Sequence, residues 1–189
     1  MALDSETRWR LVRKAKVQQG EPEGEPIIRA AMETDLPQVV EIYNYYIQNT
    51  VVTFDLDPQK LSDWIEKYRW IQGLQLPFLV AISPTGNILG FAYVAPWRQK
   101  AAFKRTVENS IYLRPAATGK RIGSKLMTEL LSQAKANGVK EVVAVISDKG
   151  AESSIAMHES FGFKHQGHLG KVGFKFGRWL GTVLLQKSL

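Results

Sequence analysis

The sequence predicts a single domain of the α+β class (mixed α/β), in which helices flank a twisted central sheet that is mixed but mostly antiparallel. Its 189 residues, 44% of them hydrophobic, are enough for one core and hardly enough for two. The predicted elements run in the order strand, two helices, β-meander, helix, strand, helix and terminal strands. A meander followed by one strand–helix–strand unit is typical of a mixed sheet covered by helices, and not of a doubly wound fold or a barrel.

The first half of this order begins with a short strand at residues 27–28. Thr34 or Asp35 can cap a first helix, and Pro58 is expected in the first turn of a second helix. In both helices, apolar residues recur at helical spacing on one face. These residues are Leu36, Val39, Val40, Tyr43 and Ile47 in the first helix, and Leu61, Trp64, Ile65 and Tyr68 in the second.

The second half supplies the remaining strands. Residues 77–82 and 88–94 form a predicted hairpin around a Pro-Thr-Gly-Asn turn, and residues 106–113 form a further strand. A helix begins near Ile122 and has Asn137-Gly138 as its stop signal. The last predicted elements are a buried strand at 142–146, a helix at 153–161 and a hairpin that turns near 173–177.

A polar segment rich in glycine and proline, residues 18–26, precedes this domain. Because it has nothing to bury, we predict a flexible N-terminal extension and linker at residues 1–26 and one domain at residues 27–189. A basic arm that binds nucleic acid or a membrane is the alternative for residues 7–14. No run has the length and character of a membrane span or a secretory signal, so the expected location is cytoplasmic.

Composition restricts the chemistry. The absence of cysteine excludes disulfides, thiolate metal sites and a cysteine nucleophile. The three histidines, His158, His165 and His168, have no common metal-ligand spacing, so no metal is expected. The formal net charge of +7 favours an anionic partner, which could be a nucleic acid, a membrane or a phosphorylated cofactor.

The loop that follows the strand ending at Leu113 has the chemistry of an anion site. Gly119 and Gly123 let the backbone approach a ligand closely, and the helix start exposes N–H groups. Lys120 and Arg121 add positive charge at the same place. These features suit a pyrophosphate, although spacing alone leaves a solvated basic connection equally open. The P-loop and dinucleotide patterns are both missing.

Several blocks of the sequence resemble a known family of enzymes. Residues 118–127, Thr-Gly-Lys-Arg-Ile-Gly-Ser-Lys-Leu-Met, resemble the acetyl-CoA motif of the GNAT superfamily of N-acetyltransferases, and residues 157–163 resemble its second signature. The resemblance covers the chain from about residue 27 and implies the GNAT fold. Five further blocks resemble the phosphinothricin N-acetyltransferase family in particular, namely residues 43–46, 95–98, 106–110, 142–146 and 173–179.

The resemblance implies an activity and a site for its cosubstrate. An acetyl group would pass from acetyl-CoA to the α-amine of a small amino acid, such as phosphinothricin, methionine sulfoximine or methionine sulfone. Backbone groups of Ile111, Tyr112 and Leu113 would bind the pantetheine arm as an added strand does. The pyrophosphate would lie on the loop and first helical turn formed by Gly119, Lys120, Arg121, Ile122, Gly123 and Ser124.

The chain departs from the superfamily pattern in two places that touch the cosubstrate. The loop opens with Thr118 instead of Gln or Arg, and Arg121 stands where glycine is usual. Ala151 and its neighbours lack the asparagine usual before the last helix. We expect Arg121 to keep an ordinary helical conformation, with its N–H group still directed at the phosphates.

The resemblance also implies two catalytic residues. Glu108 would accept a proton from the attacking amine; without the family, a solvent-facing glutamate on a strand is the simpler interpretation. His158 would supply a proton or hydrogen bond to the departing thiolate, with packing or substrate contact as alternatives. Because no cysteine can carry the acetyl group, we expect direct transfer in a ternary complex.

The remaining implied residues bind the amino acid. Arg98 and Lys100 suit a carboxylate or phosphinate, Phe54 and Phe103 would form the pocket wall, and Lys175 is a weaker candidate. Phe54 could equally be a core aromatic. The family implies a homodimer, and we expect no nucleic-acid or membrane partner. Two alternatives stay open, which are a GNAT enzyme for protein or peptide amines and a non-catalytic module that binds acetyl-CoA or nucleic acid.

Overall fold

The computed structural model of the chain describes residues 24–189, and most of the predicted N-terminal extension lies outside this part. The described residues form seven strands and four helices in the predicted order. The strands are β1 (Ile27–Ala30), β2 (Phe78–Ile82), β3 (Ile88–Pro96), β4 (Thr106–Leu113), β5 (Glu141–Ser147), β6 (Lys164–Lys175) and β7 (Arg178–Ser188). The helices are α1 (Leu36–Asn49), α2 (Leu61–Gly73), α3 (Ile122–Ala136) and α4 (Glu152–Ser160).

The seven strands form one sheet in the order β1-β2-β3-β4-β5-β7-β6. Every neighbouring pair is antiparallel except β4 and β5, which are parallel. This arrangement confirms the predicted mixed, mostly antiparallel sheet. The single parallel pair lies at the centre, where β4 is followed by α3 and then by β5.

Two apolar cores cover the two faces of the sheet. One core contains the apolar side of α3, with Leu126 and Leu130 against Val142 of β5. The other contains the apolar sides of α1 and α2, with Leu36 and Trp64 against the sheet. The sheet is therefore packed against helices on both of its faces.

Two local predictions need correction. Helix α2 begins at Leu61, so Pro58 lies outside it. The side chain of Asn44 on α1 accepts from Gln59 N at 2.8 Å and donates to Gln59 O at 2.9 Å, which keeps the residues after Pro58 out of the helix. Asp63 then accepts from the backbone N–H of residue 60 and stabilises the start of α2.

Asp35 does not cap α1 with its side chain. Its carboxylate instead binds the Arg29 guanidinium at 2.6 and 2.8 Å and accepts from Met32 N at 2.8 Å. Because Met32 N begins a short 3₁₀ turn, Glu33–Asp35, the helical segment starts one turn earlier than predicted. The carboxylate thus joins β1 to the start of α1.

Candidate active site

A cleft opens in the sheet where β4 and β5 separate. The two strands pair over only three residues, and the last pair joins Glu108 to Val143. Beyond it, β4 continues to Leu113 along β3, and β5 continues to Ser147 along β7. The facing edges of β4 and β5 are thus left unpaired with each other, and Glu108 lies at the closed end of the gap.

The register of β3 and β4 determines which backbone groups face this cleft. Bonded residues alternate along an antiparallel strand. Trp97 N donates to Thr106 O at 3.1 Å and Arg114 N donates to Leu89 O at 2.7 Å, so the even-numbered residues of β4 are bonded to β3. The backbone groups of the odd-numbered residues Asn109, Ile111 and Leu113 therefore point into the cleft.

Tyr112 is consequently not at the open edge, although it was predicted with its neighbours. Its backbone faces β3 and its ring stacks on Phe91 at 5.4 Å between centroids. At Leu113, the carbonyl oxygen already accepts a hydrogen bond from the Tyr46 hydroxyl at 2.7 Å. Ile111 is thus the predicted strand residue whose backbone is best placed for a ligand, with Asn109 beside it.

The start of α3 presents backbone N–H groups near the end of β4. Its first intrahelical bond runs from Lys125 N to Arg121 O at 3.1 Å. The N–H groups of Ile122, Gly123 and Ser124 therefore have no partner within the helix. A Cβ on Gly123 would lie 3.2 Å from the Met157 sulfur and 3.5 Å from a Leu113 methyl carbon, so this glycine permits close packing between the helix start and β4.

Arg121 does not have the ordinary helical conformation that we expected. Its φ of 60° and ψ of 10° lie in the left-handed region. Glycine enters this region without steric cost, which gives a physical reason for glycine at this position in the superfamily pattern. Gly119 also has a positive φ, of 76°. The side chains of Lys120 and Arg121 are exposed and carry positive charge beside the free N–H groups.

Glu108 is directed into the α1–α2 side of the sheet. Side chains alternate along β4; Val107 and Leu113 contact the α3–α4 core, whereas Tyr112 contacts the other core. Glu108 shares the face of Tyr112 and is half-buried. Burial raises the pKa of its carboxyl, and the positive charge of Lys67 on α2 partly opposes this rise. Such a carboxylate suits a general base, because its pKa moves toward neutral pH.

His158 lies on the opposite face of β4 and is only 2% exposed. Its Nδ1 is 2.8 Å from the carbonyl oxygen of Ser154, which can only accept, so Nδ1 carries the proton. Its Nε2 then accepts from Asn109 Nδ2 at 2.9 Å. Burial lowers the pKa of His158, consistent with a neutral ring. The single ring N–H is committed to Ser154, so this arrangement does not favour the predicted proton donor.

Asn109 connects the two halves of the split sheet. It is 6% exposed, and its amide donates to His158 on α4 from its position on β4. Its Oδ1 is buried and has no hydrogen-bond partner among residues 24–189. A buried acceptor without a partner is uncommon and calls for a donor from a ligand or water.

Phe54 lies in the segment between α1 and α2 and packs against β6. A Cβ at Gly173 would lie 2.6 Å from the Phe54 ring, so the ring occupies the space that this glycine leaves. The buried ammonium of Lys175 donates to Thr53 O at 2.8 Å. The Tyr43 hydroxyl contacts Asp55 at 2.7 Å and the Thr53 hydroxyl at 2.9 Å. The Phe54 segment is therefore anchored to α1 and to the β6–β7 hairpin.

The other predicted substrate residues lie on the loop between β3 and β4. Arg98 and Lys100 are exposed, and the Arg98 guanidinium lies 5.2 Å from the centre of the Trp97 ring. Phe103 ends a short 3₁₀ turn, Ala101–Phe103, and is half-buried. The loop enters β4 two residues before Glu108, so the loop itself lies near the closed end of the cleft.

Three residues around the cleft were missed from the sequence, namely Lys67, Tyr93 and Asn109. Lys67 had a detectable signal, because it lies three residues after Trp64 and four before Ile71, on the apolar side of α2. Asn109 had none, since its importance depends on a contact with His158 that spans 49 positions in the chain.

A split sheet with free backbone edges, a basic loop with unpaired N–H groups and a half-buried carboxylate lie together in this chain. The model of the Acetyltransferase (GNAT) family matches residues 39–163. An L-methionine sulfoximine/L-methionine sulfone acetyltransferase from Pseudomonas paraeruginosa is 38% identical over 165 residues, or 86% of this chain and 94% of the relative. The chain therefore belongs to the Acetyltransferase (GNAT) family.

Solved structures agree with this assignment. A GNAT superfamily phosphinothricin acetyltransferase from Sinorhizobium meliloti, in complex with AcCoA, has a TM-score of 0.84 at 38% identity and covers 88% of this chain and 89% of its own. A ribosomal-protein-alanine N-acetyltransferase from Brucella melitensis has a TM-score of 0.82 at 36% identity, with 86% and 99% coverage. The predicted family, fold and class of activity, an acetyl-CoA-dependent N-acetyltransferase, are confirmed.

Residues 24–189 lack two further kinds of feature. None of their helices combines the length and the apolar character that crossing a bilayer requires. No three acidic or histidine side chains in this range are grouped so that they could hold a metal ion.

Proposed function

We propose that this protein transfers the acetyl group of acetyl-CoA to the α-amine of a small amino acid of the phosphinothricin, methionine sulfoximine or methionine sulfone type. The observation that carries the proposal is Glu108, a half-buried carboxylate at the point where β4 and β5 separate. An amine that enters from the α1–α2 side meets this carboxylate, while a thioester in the cleft lies along the adjacent edge of β4.

The residues on the two faces of β4 have different roles in the reaction. Glu108 takes a proton from the substrate ammonium, directly or through one water, and so frees the nitrogen lone pair. The nitrogen attacks the thioester carbonyl carbon and gives up its second proton, the carbon–sulfur bond breaks, and the sulfur leaves with the bonding electron pair and takes up a proton. On the other face of β4, Asn109 and His158 form a neutral hydrogen-bonded pair, which would lie on the side of the leaving sulfur.

The fit of acetyl-CoA rests on two features of the chain. The backbone edge at Asn109 and Ile111 offers alternating donors and acceptors to the amides of a pantetheine arm. The first turn of α3, at Ile122, Gly123 and Ser124, offers free N–H groups and the positive end of a helix dipole to the pyrophosphate. Gly119, Lys120 and Arg121 complete this anion site.

The amino-acid side chain would occupy the closed end of the cleft. We propose that Phe54 forms one wall, because its ring is anchored against Gly173 on β6. Arg98 and Lys100, on the exposed loop before β4, would bind the distal phosphinate, sulfone or sulfoximine group. Phe103 would close the pocket on the same loop.

Mass spectrometry of reactions with acetyl-CoA and an acceptor panel tests this proposal. The panel contains phosphinothricin, methionine sulfoximine, methionine sulfone, the twenty common amino acids and a mixture of peptides with free N-terminal amines. Acetylation of the sulfone, sulfoximine or phosphinothricin in preference to peptides is the expected result. Exclusive acetylation of peptides would overturn the substrate class in favour of protein amines, which the Brucella melitensis neighbour brings into consideration.

A separate measurement distinguishes a protein that binds acetyl-CoA from a nucleic-acid-binding module. Acetyl-CoA should raise the melting temperature of the protein, because a ligand that binds only the folded state stabilises it by mass action. The absence of any shift and of any product, together with salt-dependent binding to DNA, would support a nucleic-acid-binding module instead.

We further propose that the protein works as a cytoplasmic homodimer. Five large apolar side chains on the β6–β7 hairpin are more than half exposed, a pattern typical of an association surface. They are Leu169, Val172, Phe174, Phe176 and Trp179. Light scattering should give a dimer mass for the wild type and a monomer mass for Phe174→Glu; a monomeric wild type would overturn the homodimer.

A further inference from the structure

Lys67 is a charged residue on the buried side of α2. Its ammonium donates to the Tyr93 hydroxyl at 2.6 Å and lies 4.6 Å from the Tyr93 ring centre and 4.9 Å from the Trp64 ring centre. No ion pair within residues 24–189 involves Lys67. An ammonium has three donors, so two remain beyond the bond to Tyr93. A half-buried cation of this kind is suited to an anionic ligand.

The sheet places Lys67 beside Glu108. Tyr93 pairs with Ser110, and Ala95 pairs with Glu108, so Tyr93 and Glu108 are diagonal neighbours on one face of the sheet. Lys67 lies over Tyr93 on that face, and its charge acts on the Glu108 carboxyl. The two groups do not form an ion pair of 4.0 Å or less. They therefore present a positive and a negative charge with a gap between them.

An α-amino acid has the matching arrangement of charges, since its ammonium and carboxylate are attached to the same carbon. When the ammonium contacts Glu108, the carboxylate must lie close by. We propose that Lys67 binds the α-carboxylate of the amino acid and so selects free amino acids as acceptors. This inference rests on the proposed function and assigns a specificity-determining residue to it.

The other basic side chains around the site are less suitable for this role. Lys175 is 3% exposed and its ammonium is bonded to Thr53 O. Arg98 and Lys100 are exposed on the β3–β4 loop, where they can reach the distal group of the substrate. Lys67 also explains how the site would reject protein substrates, because the amine of a protein N-terminus is followed by an amide and has no α-carboxylate.

The test compares two acceptors that differ only in the carboxylate, methionine sulfone and 3-(methylsulfonyl)propylamine. In Lys67→Met, we expect kcat/KM for methionine sulfone to fall about 10- to 100-fold, mainly through KM, because a hydrogen-bonded charge partner is lost. The value for the amine should change less than about twofold. Each ratio compares two variants on one substrate, so the different pKa values of the two amines cancel.

Three variants complete the design. Lys67→Arg should restore most of the activity on methionine sulfone, and Lys60→Met, at an exposed position before α2, should match the wild type on both acceptors. If Lys67→Met does not fold, Lys67→Gln removes the charge while keeping a donor for Tyr93. An equal loss on both acceptors, or no loss on either, would overturn the inference. A wild type that acetylates neither of these acceptors, nor phosphinothricin or methionine sulfoximine, would overturn the proposed function itself.

Discussion

Replacing Arg121 with glycine is expected to stabilise the protein, because Arg121 has a backbone conformation that glycine adopts more easily. Its φ is 60° and its ψ is 10°. The left-handed conformation costs a residue with a side chain about 1–2 kcal/mol. Glycine avoids this cost, but it also gives the unfolded chain more conformational freedom, which lowers the free energy of unfolding by about 0.4–1 kcal/mol. The midpoints of these ranges leave a net gain of about 0.8 kcal/mol in the free energy of unfolding, or about 2–3 °C in Tm.

Arg121→Ala is the matched control, since it removes the same charge but keeps a Cβ. Urea denaturation should find the glycine variant more stable than the alanine variant by about 1 kcal/mol. Both variants should bind acetyl-CoA more weakly than the wild type at low salt, and the difference should shrink at high salt because the lost interaction is a screened charge. Equal stability of the glycine and alanine variants would refute the reasoning, because it would mean that the loop does not hold residue 121 in the left-handed conformation.

Three further predictions concern the cleft. Glu108→Gln should lower kcat about 100-fold near neutral pH, with a smaller loss as the pH approaches the pKa of the amine, where free amine is abundant. Burial raises the pKa of Glu108 above 4.5, so ionisation of this carboxyl destabilises the folded state as the pH rises. The Glu108→Gln variant should therefore melt at a higher temperature than the wild type at pH 8 but not at pH 4. The opposite order would show that the Glu108 carboxyl is not buried. His158→Phe should lower Tm and leave kcat within about tenfold of the wild type, because both ring nitrogens of His158 are already hydrogen-bonded within the protein. The pKa of His158 is lowered from 6.5, so the wild type should lose stability more steeply than the variant as the pH falls through about 6.5. An unchanged Tm with a kcat loss above 100-fold would restore the proton-donor role. Gly173→Ala should raise the KM for methionine sulfone several-fold by displacing the Phe54 ring. Gly167→Ala, at a position with open space around it, should leave KM unchanged. Equal KM values for the two variants would show that Phe54 does not form a wall of the substrate pocket.

An element could be predicted from the sequence when the interactions that form it join residues close together in the chain. The apolar spacing of α3 and its Asn137-Gly138 stop correctly placed a helix with one buried side, because both signals act within a few turns of chain. The start of α2 was misplaced, since the contact of Asn44 with Gln59 keeps residues after Pro58 out of the helix. The conformation of Arg121 was missed for a related reason, as an arginine gives no local signal for the left-handed region.

Sequence alone determined the order of strands and helices and the basic glycine loop, and the family resemblance implied Glu108 as the candidate base. These depend on periodicity and on short motifs, which neighbouring residues specify. Only the tertiary structure decided that β4 and β5 separate after Glu108, that Asn109 holds His158, and that Lys67 stands across a gap from Glu108. Such contacts join residues that are tens of positions apart, and they exist only when strand register and helix packing bring those residues together.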